Sequence, residues 1–421
     1  MPNTLAGWLT YLESLHPKTI ALGLERVAQV KQRLNLQPDF PIITVGGTNG
    51  KGSVCAMLES ILHAAGYRVG CYTSPHLLHY NERVRISRQQ ASDAELCASF
   101  ASIEQVRRDT PLTYFEFGTL AAMQLFTEHK VEVAILEVGL GGRLDAVNVF
   151  DADCAVVTSV DIDHVDYLGD TREQIAFEKA GIFRQGRVAV CADSDVPQPL
   201  RTHAQEVGAE LWCIGSEFGF TSQQGQWDYR SKSGSRNSLP WPALRGAFQL
   251  HNASAALAAL DALKDRLPVS MEAVRRGLVE VQLAGRFQFV PGKPQLILDV
   301  GHNPQAARSL AQNLSSLPPA KTFAVFAMLK DKDMAGVVHA VDTRIDGWFA
   351  AGIDAPRGAT AAELAQVLQK ARVRSPVQVC ATIADALQQA CNGASGDDRI
   401  VAFGSFYTVA EVMRARGLRG G

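Results

Sequence analysis

Apolar positions along the chain follow two different periods. Trp8, Leu9, Leu12 and Leu15, and later Leu24, Val27, Val30 and Leu34, recur at helical spacing with a break near Pro17, which predicts two short helices. The next apolar run, Pro41 to Val45, reads as a strand. It leads into a glycine-rich loop and then into "VCAMLESILHAAG", a helix that Gly66 suits as C-terminal cap. A second strand follows in "YRVGCYT". "EVAILEVG" and "CAVVTSV" are near-continuous apolar runs of strand length, as parallel strands covered on both faces should be. Between Ser222 and Pro242 the chain turns polar, which predicts exposed hairpins at a sheet edge. After the helices "HNASAALAALDAL" and "MEAVRRGLVEV", turn residues in "GRFQFVPGKP" place a domain boundary near Val290. Beyond it "QLILDV", "TFAVFAML", "GWFAA", "VQVC" and "RIVAFG" alternate with helical segments, the pattern of a small, mainly parallel α/β domain.

Composition narrows the class. With 421 residues the chain exceeds the size of one ordinary core, and 47% hydrophobic residues are ample for two. A net charge of −2 gives no global attraction to nucleic acid or anionic lipid, so any anion site must be local. The eight cysteines are scattered without a Cys-x-x-Cys pair and read as reduced core thiols. The start "MPNTLAGWLTYLESLH" lacks the features of a signal peptide, and no run approaches the roughly 18 apolar residues needed to span a membrane. The expected location is the cytoplasm.

The first candidate for chemistry is "GGTNGKGS", Gly46 to Ser53, between a strand and a helix. It departs twice from the common phosphate loop: three residues rather than four precede Gly50-Lys51, and Gly52 is inserted ahead of Ser53. Its order still gathers backbone N–H groups and a positive helix end where phosphate binds, with Lys51 for terminal oxygens and Ser53 facing a magnesium ion. Glu137, at the end of "EVAILEVG", is a candidate magnesium ligand or a solvated strand-end carboxylate. "SVDIDHVDYLG" crowds Asp161, Asp163, His164 and Asp166 into one loop, which a cation would relieve. Lys179 in "FEKAGIF" reads either as half of a surface pair with Glu178 or as an interior lysine whose neutral amine adds carbon dioxide to become a carbamate. Asp299, His302 and Asn303 end one strand of the second domain, and Gly404-Ser405 end another, where ligands collect in such sheets.

"GGTNGKGS", "SPHL", "TYFEFGTLAA", "LEVGLGGRLDAVN", "DHVDYLG", "EKAGIF", "GRF", "DVGHNP" and "GSFYTV", in this order and nearly end to end, resemble the bacterial bifunctional dihydrofolate synthase/folylpolyglutamate synthases of the Mur ligase superfamily. The resemblance implies an α/β fold: an N-terminal P-loop-type ATPase domain with a mainly parallel sheet, residues 1–289, and a smaller C-terminal Rossmann-like α/β domain, residues 290–421. It implies a ligase that uses ATP and two magnesium ions to activate a carboxylate and join it to the amine of L-glutamate. By this resemblance Thr48, Asn49, Gly50, Lys51, Gly52 and Ser53 hold ATP phosphates or neighbour the metal, and Asn252, Arg286 and Asp299 match ATP-binding positions from the two domains. Ser74, Glu137 and His164 match magnesium ligands, and Lys179 matches the carbamylated lysine of the family. Ala21, Leu22, Gly23 and Leu24, then Thr113, Tyr114, Phe115 and Glu116, then Leu144, Asp145 and Ala146 match dihydropteroate-binding segments. His302 and Ser405 resemble positions linked to glutamate or the intermediate; Lys51, Lys179 and His302 are the expected catalytic groups. The chain departs from the family at Gly301, where alanine is frequent, at Asp161 and Asp163, where neutral residues are common, and at His251 ahead of Asn252.

The expected activity makes dihydrofolate from dihydropteroate and glutamate, then extends reduced folates with further glutamates. The expected protein is a monomer with no nucleic-acid or membrane partner. Two alternatives are a Mur-type cell-wall ligase acting on a UDP-muramyl acceptor, against which "TYFE" and "ALGLERV" speak, and a nucleotide-gated binding module without turnover.

Overall fold

A computed structural model describes residues 2–16 and 21–419; the break expected near Pro17 lies outside them. The chain forms two compact units. One gathers the residues up to His76, Tyr80–Ala243 and Leu250–Val281, and the other gathers Leu77–His79, Leu244–Gln249 and the chain from Gln282 onward.

The strands of the first unit, in chain order, are β1 (Ile42–Gly46), β2 (Val69–Tyr72), β3 (Val84–Ile86), β4 (Gln89–Gln90), β5 (Val133–Glu137), β6 (Cys154–Val157), β7 (Val188–Cys191) and β8 (Glu210–Cys213). They form one sheet in the order β4-β3-β2-β5-β1-β6-β7-β8. The six strands from β2 to β8 in that order are parallel, and β3 and β4 close one edge antiparallel. Every residue of β1, β5 and β6 is buried, which is why their sequences read as unbroken apolar runs. The chain leaves β1 toward β2 on one side and later reaches β6 on the other, so the strand order reverses around β1. Crevices at such reversals, at the carboxyl ends of the strands, are where ligands bind in open α/β sheets. Pairing of Val45 with Glu137 and of Gly46 with Val157 brings the ends of β5, β1 and β6 level.

The polar stretch does not form hairpins on the edge of this sheet. β9 (Phe218–Gln223), β10 (Gln226–Ser231) and β11 (Gly234–Pro240) make a separate antiparallel sheet. Its face is anchored by Trp227 and Tyr229, both fully buried, and by the Tyr229 hydroxyl donating to Asp261 at 3.0 Å. The alternation of Trp227 and Tyr229 carries the buried face, and the Gln and Ser residues around them obscure it in the sequence.

The second unit holds β12 (Gln288–Val290), β13 (Gln295–Asp299), β14 (Thr322–Phe326), β15 (Gly347–Ala351), β16 (Val377–Cys380) and β17 (Arg399–Phe403), in the sheet order β12-β13-β17-β14-β15-β16. Only β12 runs antiparallel among them. Among the described residues no helix is long and apolar enough to cross a membrane, and all eight cysteines are free thiols.

Behind the first sheet the helix Lys51–Ala64 packs against Met271–Glu280 at a glycine: a Cβ on Gly277 would sit 2.5 Å from Ile61 Cα, and the Ser60 hydroxyl donates to the Gly277 carbonyl at 2.8 Å. Gly277→Ala must push these helices apart. We expect it to lower stability by about 1–3 kcal/mol, read as an earlier urea midpoint; an unchanged midpoint would show that the two helices separate without cost.

Candidate active site

After β1 the chain turns sharply into the helix Lys51–Ala64. Glycine is required twice. Gly47 has φ of +141° and a Cβ there would lie 1.9 Å from Thr158 Oγ1; Gly50, the helix N-cap, has φ of +93° and a Cβ there would lie 2.6 Å from Asn252 Oδ1. Gly52 and Ser53 already belong to the helix and are buried, so the inserted glycine falls inside its first turn.

The loop is stitched to the residues following β6. The Thr48 N–H donates to the Ser159 carbonyl at 2.7 Å, and the Thr48 hydroxyl donates to the Asp161 carbonyl and accepts the Asp161 N–H, each at 3.0 Å. The Thr158 hydroxyl donates to the Asn49 carbonyl at 2.6 Å. The Ser159 hydroxyl donates to that carbonyl and accepts the Asn49 N–H, both at 3.1 Å. Lys51 Nζ folds back onto the carbonyls of Gly47 and Thr48, at 2.9 and 3.2 Å. A lysine and a helix N-terminus held in this way make an anion cradle. Thr158 and Ser159 were missed by sequence reasoning; their position directly after the strand "CAVV" was the available signal.

Glu137 ends β5 with 4% exposure, and its Oε2 accepts the Ser74 N–H at 3.0 Å, so two of the expected magnesium ligands meet at neighbouring strand ends. Beneath them the guanidinium of Arg85 binds both oxygens of buried Glu59 and donates to the Thr73 hydroxyl at 3.1 Å. His164 precedes the short helix Val165–Leu168 with φ of +54°. Its ring Nε2 lies 4.0 Å from Asp163 Oδ1, and Asp163 Oδ1 also accepts the His164 N–H at 2.8 Å.

Lys179, in the helix Arg172–Ala180, is not a surface residue: it is 3% exposed, and Glu178 pairs instead with Arg143 at 2.7 Å. Burial first, and then the charge of Lys51, bring the Lys179 pKa down to about 7, with Asp163 offsetting part of the fall. Lys51, Asp163 and Lys179 therefore share one electrostatic neighbourhood.

Among the described residues no three His, Cys, Asp or Glu side chains form a ready metal cage. Magnesium does not need one, since it is commonly held by one or two carboxylates, waters and substrate phosphates. The buried Glu137 carboxylate, the adjoining Ser74 and a buried lysine with a near-neutral amine fit that kind of site.

The three segments matched to dihydropteroate binding converge. The Gly23 N–H donates to the Leu144 carbonyl at 3.3 Å, and Arg26 bridges the Ala21 carbonyl at 2.7 Å and Glu116 Oε1 at 2.9 Å. Phe115 lies 5.7 Å from the Tyr72 ring and against Gly139, where a Cβ would lie 2.8 Å from its ring. Glu116 also closes a capping box with Thr113 at the start of the helix Tyr114–Glu128, so its carboxylate shapes the segment from within. Asp145 caps its own turn, accepting the N–H groups of Leu140 and Val147 at 2.8 and 3.1 Å. Burial nevertheless pushes its pKa up to about 7. Leu22, Leu24 and Tyr114 are half-buried, and Ala146 is buried. Arg26, the bridge, carried no motif signal of its own.

In the second unit β13 and β17 are neighbours, with Asp299 paired to Phe403. Burial raises the Asp299 pKa against the N–H of Gly301 (2.7 Å), the charge of Arg286 and the N–H of Phe287 (3.0 Å). Arg286 lies over the Phe406 ring at 5.5 Å, with the His302 ring 6.3 Å from the same ring. His302 Nδ1 donates to the Val300 carbonyl at 2.9 Å. The Ser405 hydroxyl accepts the Thr408 N–H at 3.0 Å as N-cap of the helix Phe406–Ala415, and Asn303 caps Pro304–Ser315 in the same way.

Two family models match the chain: Mur ligase middle domain over residues 45–260, and Mur ligase, glutamate ligase domain, over residues 285–406. The dihydrofolate synthase/folylpolyglutamate synthase of Escherichia coli (strain K12) is 46% identical over 413 residues, 98% of this chain and 95% of that protein. Among solved structures, E. coli FolC in complex with DHPP and ADP matches with a TM-score of 0.95 at 45% identity over 99% of both chains. A bifunctional folylpolyglutamate synthase/dihydrofolate synthase with Mn, AMPPNP and L-glutamate bound matches with a TM-score of 0.92 at 48% identity, over 99% of this chain and 98% of that one. Similarity of this degree along almost the whole chain, over the same motifs that build the phosphate loop and its surroundings, means that the protein belongs to the dihydrofolate synthase/folylpolyglutamate synthase family of Mur ligases.

Proposed function

We propose that the protein is an ATP-dependent ligase that joins L-glutamate to dihydropteroate, giving dihydrofolate, and adds further glutamates to reduced folates. The observation that carries this reading is Lys179, a buried lysine brought close to neutrality within reach of Lys51 and Asp163. A neutral amine is the form that takes up carbon dioxide, and a carbamate there turns a misplaced cation into an anion facing the metal side of the site. The convergence of residues 21–24, 113–116 and 144–146 supports a pteroate acceptor over a UDP-muramyl one.

In this reading Thr48–Ser53 cradle the ATP phosphates, with Asn252 beside the loop. Ser74, Glu137, His164 and carbamylated Lys179 hold magnesium, which supplies charge neutralisation for phosphoryl transfer. Lys51 neutralises charge on the terminal phosphate. The acceptor carboxylate takes the γ-phosphoryl group, giving an acyl phosphate and ADP; the glutamate amine attacks its carbonyl, and the tetrahedral intermediate expels phosphate. Arg286 and Asp299 keep the ATP-contact role that the family resemblance gives them, and His302 and Ser405 the role toward glutamate. The enzyme acts as a monomer in the cytoplasm, a location supported by its eight free thiols.

ADP and phosphate should appear only when glutamate and a pteroate or folate acceptor are both present. Release that ignores the omission of either would remove the ligase assignment. Lys179→Ala should lower turnover by about two orders of magnitude or more while AMPPNP still binds, measured by steady-state kinetics beside calorimetry. Wild-type turnover in that variant would exclude the carbamate. The depressed lysine pKa also fixes a sign. The unfolded chain holds a proton on this amine up to the ordinary value of 10.5, whereas the folded chain releases it above about 7, so this group's contribution to stability rises with pH across that window. In buffer freed of carbon dioxide, where the amine is unmodified, Lys179→Met should therefore melt higher than wild type at pH 6, with the gain shrinking as pH rises; a lower melting temperature would contradict the burial cost.

A further inference from the structure

Residues 158–164 have no regular secondary structure, yet Thr158 and Ser159 hold Asn49, Asp161 holds Thr48, and His164 ends the segment. Its middle is held at Val160. The Val160 N–H donates to Asp193 Oδ2 at 2.7 Å, and its carbonyl accepts Arg172 Nε at 2.8 Å. The two clamping side chains are themselves bonded, Arg172 Nη2 to Asp193 Oδ1 at 2.7 Å. Arg172 continues to the Asp195 carbonyl and carboxylate, both at 2.6 Å, and the Asp195 N–H returns to Asp193 Oδ1 at 2.9 Å. Arg172 is the first residue of the helix that carries Lys179, and Asp193 follows β7. One guanidinium thus joins the start of that helix, the segment after β6 and the segment after β7.

Resting on the ligase reading, we propose that Arg172 and Asp193 are positioning residues that set the spacing between the phosphate loop, His164 and Lys179 without touching substrate. Phosphoryl transfer depends on placement, and a displacement of about 1 Å in a reacting geometry costs about a hundredfold. The planar fork of arginine can serve Val160, Asp193 and Asp195 in fixed directions, which a lysine ammonium on a flexible stem cannot. Asp193 is the complementary piece, because one carboxylate both meets the guanidinium and accepts the Val160 N–H.

The test uses the full chain and the variants Arg172→Lys and Asp193→Asn. Mn²⁺ binding in the presence of AMPPNP is followed by electron paramagnetic resonance, beside kcat, the KM for dihydropteroate and the melting temperature. We expect Mn²⁺ to be held about tenfold or more weakly and kcat to fall by about ten- to a hundredfold, with the KM for dihydropteroate within about twofold. A lowered melting temperature with Mn²⁺ binding and kcat at the wild-type level would show the clamp to be structural only and overturn the proposal. So would a wild-type protein that retains no Mn²⁺ beside AMPPNP. The metal titration needs neither acceptor nor glutamate, so it reads the clamp even if wild type makes no dihydrofolate, an outcome that would sink the ligase reading alone. Should either variant fail to fold, the other carries the same two readouts.

Discussion

The constraint on which the first unit's site depends is a lysine buried away from water. Lys179 sits at 3% exposure in the electrostatic range of Lys51, and an ammonium there would be desolvated and repelled at once. A fold that keeps such a residue must either neutralise it or use it. Its surroundings favour use: Asp163 leans the balance back toward charge, while the phosphate loop, Glu137 and Ser74 occupy the adjacent strand ends. The drop in amine pKa follows from burying Lys179 in the field of Lys51, and the anion cradle follows from bonding the loop after β1 to the residues after β6.

Rigidity in the phosphate loop comes from backbone bonding more than from its own side chains. Four residues turn from β1 into a helix, and they hold that shape because the residues after β6 accept and return their polar groups. The same device recurs around the pteroate-matched segments, where Arg26 and the Thr113–Glu116 capping box tie distant stretches of chain into one wall. In the second unit, Asp299, Ser405 and Asn303 all spend side-chain oxygens on nearby backbone N–H groups, which sets the two neighbouring strand ends.

Much of this was legible in the residues. Buried strands β1, β5 and β6 announced themselves because a strand covered on both faces must be apolar throughout, and the glycines at 47 and 50 announced a turn that no side chain tolerates. The hairpins of residues 218–240 are largely exposed, as expected, but they form a sheet of their own rather than an edge of the first, with Trp227 and Tyr229 supplying its inward face against a strongly polar local composition. Arg26, Arg172 and Asp193 carried no pattern: each bonds a segment far from it in sequence, 90 residues away for Arg26 to Glu116, 12 for Arg172 to Val160 and 33 for Asp193 to Val160, and spacing along a chain says nothing about such partners.

The sequence by itself determined the class of chemistry, since the irregular loop "GGTNGKGS" and the motifs that follow it in order specify residue types with few other uses. It also determined the alternation of strands and helices, because burial on one face or two is written locally as hydrophobic period. Only the tertiary structure decided whether Lys179 was a surface partner of Glu178 or an interior amine. That choice depends on which groups exclude water and supply charge around it, and these come from elements far apart in the chain, packed together by the sheet.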